Sequence, residues 1–95
     1  MKTIEEIRVR VIELSAEQAG VAPAEVTVEH DFYADLNFDS LDITEFAMNV
    51  EDEFGVTFPD EAIENVRKVS NAIDLVWEQT KQQEQATATS GSSPS

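Results

Sequence analysis

The 95 residues carry 20 acidic and 6 basic side chains, a net charge of −14, and no cysteine. That length admits one domain with a modest apolar core, and the missing thiols exclude a disulfide framework, a cysteine metal site and a cysteine nucleophile. Fifteen of the 20 acids lie between Val11 and Val66, a span with no basic side chain, so the surface repels nucleic acid and anionic membrane and draws in basic protein partners.

The opening residues Met1-Lys2-Thr3-Ile4-Glu5-Glu6 place acids where a signal peptide needs an apolar run, and no apolar stretch approaches membrane-spanning length. A cytoplasmic location without membrane insertion is therefore expected. Ile4, Ile7, Val11 and Leu14 recur at three- and four-residue steps, which predicts a first helix over 3–17 opened by a capping box in Thr3 and Glu6. Gly20 is placed to end that helix, and Pro23 prevents its resumption. From Val21 to Phe38 no period persists. A connection that long in a small domain must be pinned by its own apolar side chains, so Val26, Phe32 and Leu36 are expected to be buried.

The second helix is predicted from Ser40 to about Glu53, capped by Asp39 and stopped by Gly55. At 100° per residue, Ile43, Phe46, Ala47, Val50 and Phe54 share one side, the signature of a core face. Leu41, Thr44, Glu45, Met48, Glu51 and Asp52 share the other, two apolar residues bordered by carboxylates and directed outward. A short third helix is expected near 60–65 with Asp60 as its cap, and a fourth, with core stripe Val69, Ala72, Ile73 and Val76, runs through Trp77 toward Gln83. No run alternates long enough for a strand. The predicted fold is an all-α, small antiparallel four-helix bundle with a long ordered loop between helices 1 and 2 and a short helix 3. The bundle is expected to occupy residues 1–84, followed by a disordered polar tail over 85–95.

Asp39-Ser40-Leu41-Asp42 is the stretch with chemistry in it. Ser40 follows the cap, where unbonded N–H groups and the positive end of the helix dipole favour an anion, so a phosphate ester there would be well placed. Asp and Ser are also simply good capping residues. Catalysis by Ser40 lacks support: His30, the sole histidine, lies in the loop with no defined pairing, and no glycine-flanked nucleophile elbow surrounds the serine. Asp35, Asn37 and Asp39 have the spacing of the first three EF-hand ligands. That pattern fails at the sixth position, Ser40 in place of glycine, and at the twelfth, Phe46 in place of a bidentate glutamate. No metal site is expected.

The string Asp35-Leu36-Asn37-Phe38-Asp39-Ser40-Leu41-Asp42 resembles the modification site of the acyl carrier protein family, whose core is Asp-Ser-Leu at the start of a second helix. The resemblance extends over 3–79 through Glu51-Asp52-Glu53-Phe54, Phe58-Pro59-Asp60-Glu61 and Ala72-Ile73-Asp74. It implies a carrier and not an enzyme: a phosphopantetheinyl transferase attaches phosphopantetheine to Ser40, flanked by Asp39 and Leu41, and the arm's thiol holds acyl groups as thioesters. A chain without cysteine would thus acquire its reactive sulfur with its cofactor. Ile43, Phe46, Val50, Phe54, Ile63, Val66, Ala72, Ile73 and Val76 would line the acyl cavity. Asp39, Leu41, Asp42, Thr44, Glu45, Met48, Glu51 and Asp52 would meet basic patches on acyl-transfer, condensing and reducing enzymes, with the carrier a monomer. Three positions depart from the family pattern. Asn37 replaces a common glycine, Phe38 replaces a small residue and is expected beside the arm as a contact for it or for a partner, and Thr44 replaces an aliphatic. Fatty acid biosynthesis and a dedicated carrier for a specialised lipid or polyketide both remain open, as do an unmodified acidic docking domain and a cation-regulated switch.

Overall fold

The two longer helices before the third begin where a side chain satisfies one of their first N–H groups. In the computed structural model, which describes residues 3–90 and the side chains of 3–81, α1 spans Ile4–Ala19, α2 Ser40–Phe54, α3 Asp60–Glu64 and α4 Val69–Ser90. Thr3 caps α1 through the expected capping box with Glu6, and Gly20 closes it in the left-handed conformation at φ 77°. Asp39 caps α2 in the same way, its partner being Asp42, and Gly55 ends it at φ 67°. The third helix differs from expectation: Pro59 occupies the cap without a side-chain hydrogen bond, and Asp60 is the first helical residue. Its acid then faces the helix dipole from within the first turn.

The core is built from α1, α2 and α4. Ile7, Val11, Val50, Val69 and Val76 are completely enclosed, each supplied by the inward stripe of its helix. Ser15 shares that interior, and its hydroxyl donates to the Val11 carbonyl at 2.7 Å, so no buried side-chain polar atom is left without a partner among the described residues. Phe54, expected in the core, is only half-buried at the end of α2.

The long loop is ordered by backbone hydrogen bonds as well as by apolar anchors. It contains one 3₁₀ turn, Pro23–Glu25, and then runs alongside the connection between α3 and α4. Phe32 N–H donates to the Arg67 carbonyl at 2.7 Å, Val69 N–H to His30 at 3.0 Å and Ser70 N–H to Val28 at 2.9 Å. An isolated antiparallel bridge joins Asp31 to Lys68, and no strand forms among the described residues. Val26 and Phe32 are buried as expected, whereas Leu36 is only partly so.

The expected tail differs at its near end. The backbone of α4 stays helical to Ser90, because Gln85 to Ser90 contains good helix formers such as Ala and Gln and no breaker precedes Gly91. The remainder of that tail, 91–95, lies outside the described residues.

Candidate functional site

The residues before α2 form a tight ring that aims the chain into the helix. Asp31 N–H donates to Asp35 Oδ2 at 2.7 Å, and the Asp31 carbonyl accepts from Asp35 at 2.9 Å and Leu36 at 3.1 Å. Asn37 then turns the chain with φ 61°, a left-handed conformation in which Asn is the best tolerated residue after Gly. Phe38 N–H closes the ring onto the Phe32 carbonyl at 2.8 Å.

Phe38 corrects the reading that placed it beside the arm. Its ring is buried and stacks on Phe32 at 5.2 Å, and both rings meet Phe46 of α2, at 6.0 and 5.0 Å respectively. The left-handed turn at Asn37 directs the following side chain inward, and three aromatic rings then fix where α2 begins. A single Phe in an aperiodic loop gave no sequence signal of this.

Asp31 anchors the ring from outside. Its Oδ1 accepts the N–H groups of Tyr33 at 2.8 Å and Ala34 at 2.9 Å, and its Oδ2 faces the Arg67 guanidinium at 3.2 Å. The Ala34 bond above all, then the Tyr33 bond and the arginine, hold its pKa below the ordinary carboxylate value. A carboxylate depressed in the folded state adds stability that is present above its unfolded pKa and is lost as pH falls through the folded one. Asp31→Asn should therefore melt below the wild type at neutral pH, and the gap should close as pH falls below about 4. Thermal melts of both proteins across that range check this, and a gap independent of pH would contradict it.

Asp39 and Asp42 cap each other reciprocally: Asp42 N–H donates to Asp39 Oδ1 at 2.8 Å and Asp39 N–H to Asp42 Oδ2 at 3.2 Å. Ser40 is exposed in the first turn. Its hydroxyl makes no hydrogen bond among the described residues, and only its carbonyl is engaged, accepting from Thr44 Oγ1 at 2.8 Å. The cap leaves the Ser40 and Leu41 N–H groups directed out of the helix end, a setting that accommodates a phosphate on the adjacent oxygen.

From that turn runs the outward stripe. Leu41 and Met48 are 63% and 57% exposed, and Thr44, Glu45 and Asp52 are exposed around them. Glu51 departs from it. Its Oε2 accepts the Phe58 N–H at 2.6 Å, so the half-buried carboxylate is turned to the loop after α2 and ties that loop down. Helical phase alone cannot show this, because the donor comes from a different segment. The stripe gains one residue that periodicity did not suggest: Gln18, in the last turn of α1, donates to both Asp42 and Glu45. No group of three or more potential metal ligands stands together among the described residues.

Phe46 also borders a void of ≈ 20 Å³. Ile43, Phe46, Ile63, Val66 and Ala72 line it, joined by Ala47, Phe58 and Leu75. Val50, Phe54, Ile73 and Val76 do not reach it: Val50, Ile73 and Val76 are buried elsewhere in the core, and Phe54 packs against the core from the end of α2. Helical phase gives the inward face but not how far along that face an opening lies.

Ser40 thus presents an exposed hydroxyl at the tip of an acidic helix. The profile of the family described as phosphopantetheine attachment site matches residues 9–76, and the chain belongs to that family, whose members are carriers and not enzymes. The group they bear is covalently attached phosphopantetheine, which this helix tip fits. Among solved structures, the chain resembles an acyl carrier protein from Thermotoga maritima with 32% identity and a TM-score of 0.71, over 83% of this chain and 92% of that one. An acyl carrier protein from Enterococcus faecalis is 31% identical with a TM-score of 0.70, over 82% of this chain and 99% of that one. The fold is that of the acyl carrier proteins. Among the described residues no helix is long and apolar enough to cross a membrane.

Proposed function

We propose that the chain is an acyl carrier in which Ser40 receives phosphopantetheine from a transferase and acyl intermediates ride on the arm as thioesters. The observation that carries this reading is the accessible, hydrogen-bond-free hydroxyl of Ser40 in the first turn of α2, inside the span that matches the attachment-site family. Asp39 and Leu41 flank the attachment point. Leu41, Asp42, Thr44, Glu45, Met48 and Asp52 form the surface that successive basic-patched enzymes meet, an apolar centre with a charged rim suited to brief encounters. Glu51 contributes its charge from a fixed position.

The pathway favoured is fatty acid or related lipid synthesis in the cytoplasm. Support comes from the void behind Phe46, whose exposed lining is wholly apolar. A saturated chain loses nothing there, whereas a keto group would be left without a hydrogen-bond partner. At ≈ 20 Å³ the resting void has room for about one water-sized group, so a longer chain enters only as the surrounding side chains part.

Incubating the apo protein with coenzyme A and a broad-specificity phosphopantetheinyl transferase should add one arm per chain, and fragmentation should place it on the peptide containing Ser40. An unchanged intact mass, or an adduct on Ser15 or Ser70, would refute the assignment.

A further inference from the structure

The first helix reaches into the acidic surface of the second at one point. Gln18 Nε2 lies 3.2 Å from Asp42 Oδ1 and 3.0 Å from Glu45 Oε1. An amide nitrogen carries two N–H bonds, so each carboxylate receives one of them. The opposite orientation of the amide would set its carbonyl oxygen against two groups that only accept, so the neighbours themselves decide which way it points. Asp42 is then held at both oxygens, by Gln18 on one and by the Asp39 N–H on the other. Glu45, exposed on the next turn, is held by Gln18.

From this geometry we infer that Gln18 is a positioning residue for docking: it holds the Asp42 and Glu45 carboxylates in one fixed array beside Ser40, ready for a basic partner. The inference rests on the carrier reading above. Two like charges three residues apart on a helix repel and would otherwise swing apart. A lysine at position 18 would also gather them, but it would cancel the charge that attracts the partner. The amide gathers the two carboxylates and leaves their charge intact. A partner therefore meets two acids already placed and does not have to order the two side chains on contact.

The test is the kinetics of arm transfer to the full-length apo chain, with coenzyme A and a broad-specificity phosphopantetheinyl transferase, at temperatures well below the melting point of each variant. Gln18→Ala should raise the KM for the carrier about threefold to fivefold with kcat unchanged, since only the encounter surface is disturbed. In an Asp42→Asn/Glu45→Gln background, whose own KM is already raised, adding Gln18→Ala should produce no further change, because the groups through which it acts are no longer charged. An unchanged KM in the single variant overturns the inference, as does an equal additional rise in the neutralised background. Failure of the carrier reading is distinguishable, since the wild-type chain itself would then take up no arm.

Discussion

Replacing Ser40 by alanine will abolish arm transfer and leave the fold in place. Both halves of that result follow from the same geometry. The hydroxyl is exposed and unbonded, so its loss breaks nothing. The hydrogen bond at this residue that involves a side chain uses the Ser40 carbonyl, which alanine retains. The Asp39 and Asp42 caps are untouched, and alanine is the best helix former. A surface change of this kind lies within about 0.5 kcal/mol, which in a domain of this size moves the melting temperature by about 4 °C at most. Intact-mass measurement after incubation with the transferase and coenzyme A reads the first half, and a thermal melt reads the second. An arm on the alanine variant would move the attachment point elsewhere. A collapsed melting temperature would mean that Ser40 has a structural duty the hydrogen-bond pattern does not show.

The largest loss of stability is expected from Phe32→Ala. Phe32 is fully enclosed, stacks on Phe38 and leans on Phe46. Its backbone also bonds at both ends, N–H to Arg67 and carbonyl from Phe38. Truncating a buried phenylalanine removes its transfer energy and leaves a cavity, together about 3–5 kcal/mol. A domain of this size holds roughly 5–10 kcal/mol in all. The melting temperature should therefore fall by about 15–30 °C, measured by far-ultraviolet circular dichroism. A fall of only a few degrees would show that the neighbouring rings close over the gap, and the triad would then not be what sets the start of α2.

The parts of this molecule that the sequence made legible are those fixed by local chemistry. Thr3 with Glu6, Asp39 before Ser40, and Gly20 and Gly55 after their helices each act within a few residues, so a short string suffices to recognise them. The inward faces of α1, α2 and α4 were legible for a related reason, since helical phase is a local property. What the sequence concealed depends on partners far along the chain. Phe38 lies in an aperiodic loop and is buried only because Phe32 and Phe46 arrive beside it. Glu51 has an outward helical phase, yet its carboxylate is claimed by the Phe58 N–H seven residues later. Gln18 finds its acceptors 24 and 27 residues away. No pattern on one helix reports such a meeting.

The pairing of 28–32 with 67–70 also dictates when the handle of this carrier becomes ready. Asp31 and Arg67 are 36 positions apart, and contacts of such separation close late, after the entropy of the intervening segment has been overcome. A nascent polypeptide whose residues beyond 66 are still inside the ribosome has Ser40 already outside but nothing to brace the loop in front of it. On the reading proposed above, modification of Ser40 thus waits on the arrival of the far end, and a half-made chain offers its modifying enzyme only an unshaped peptide.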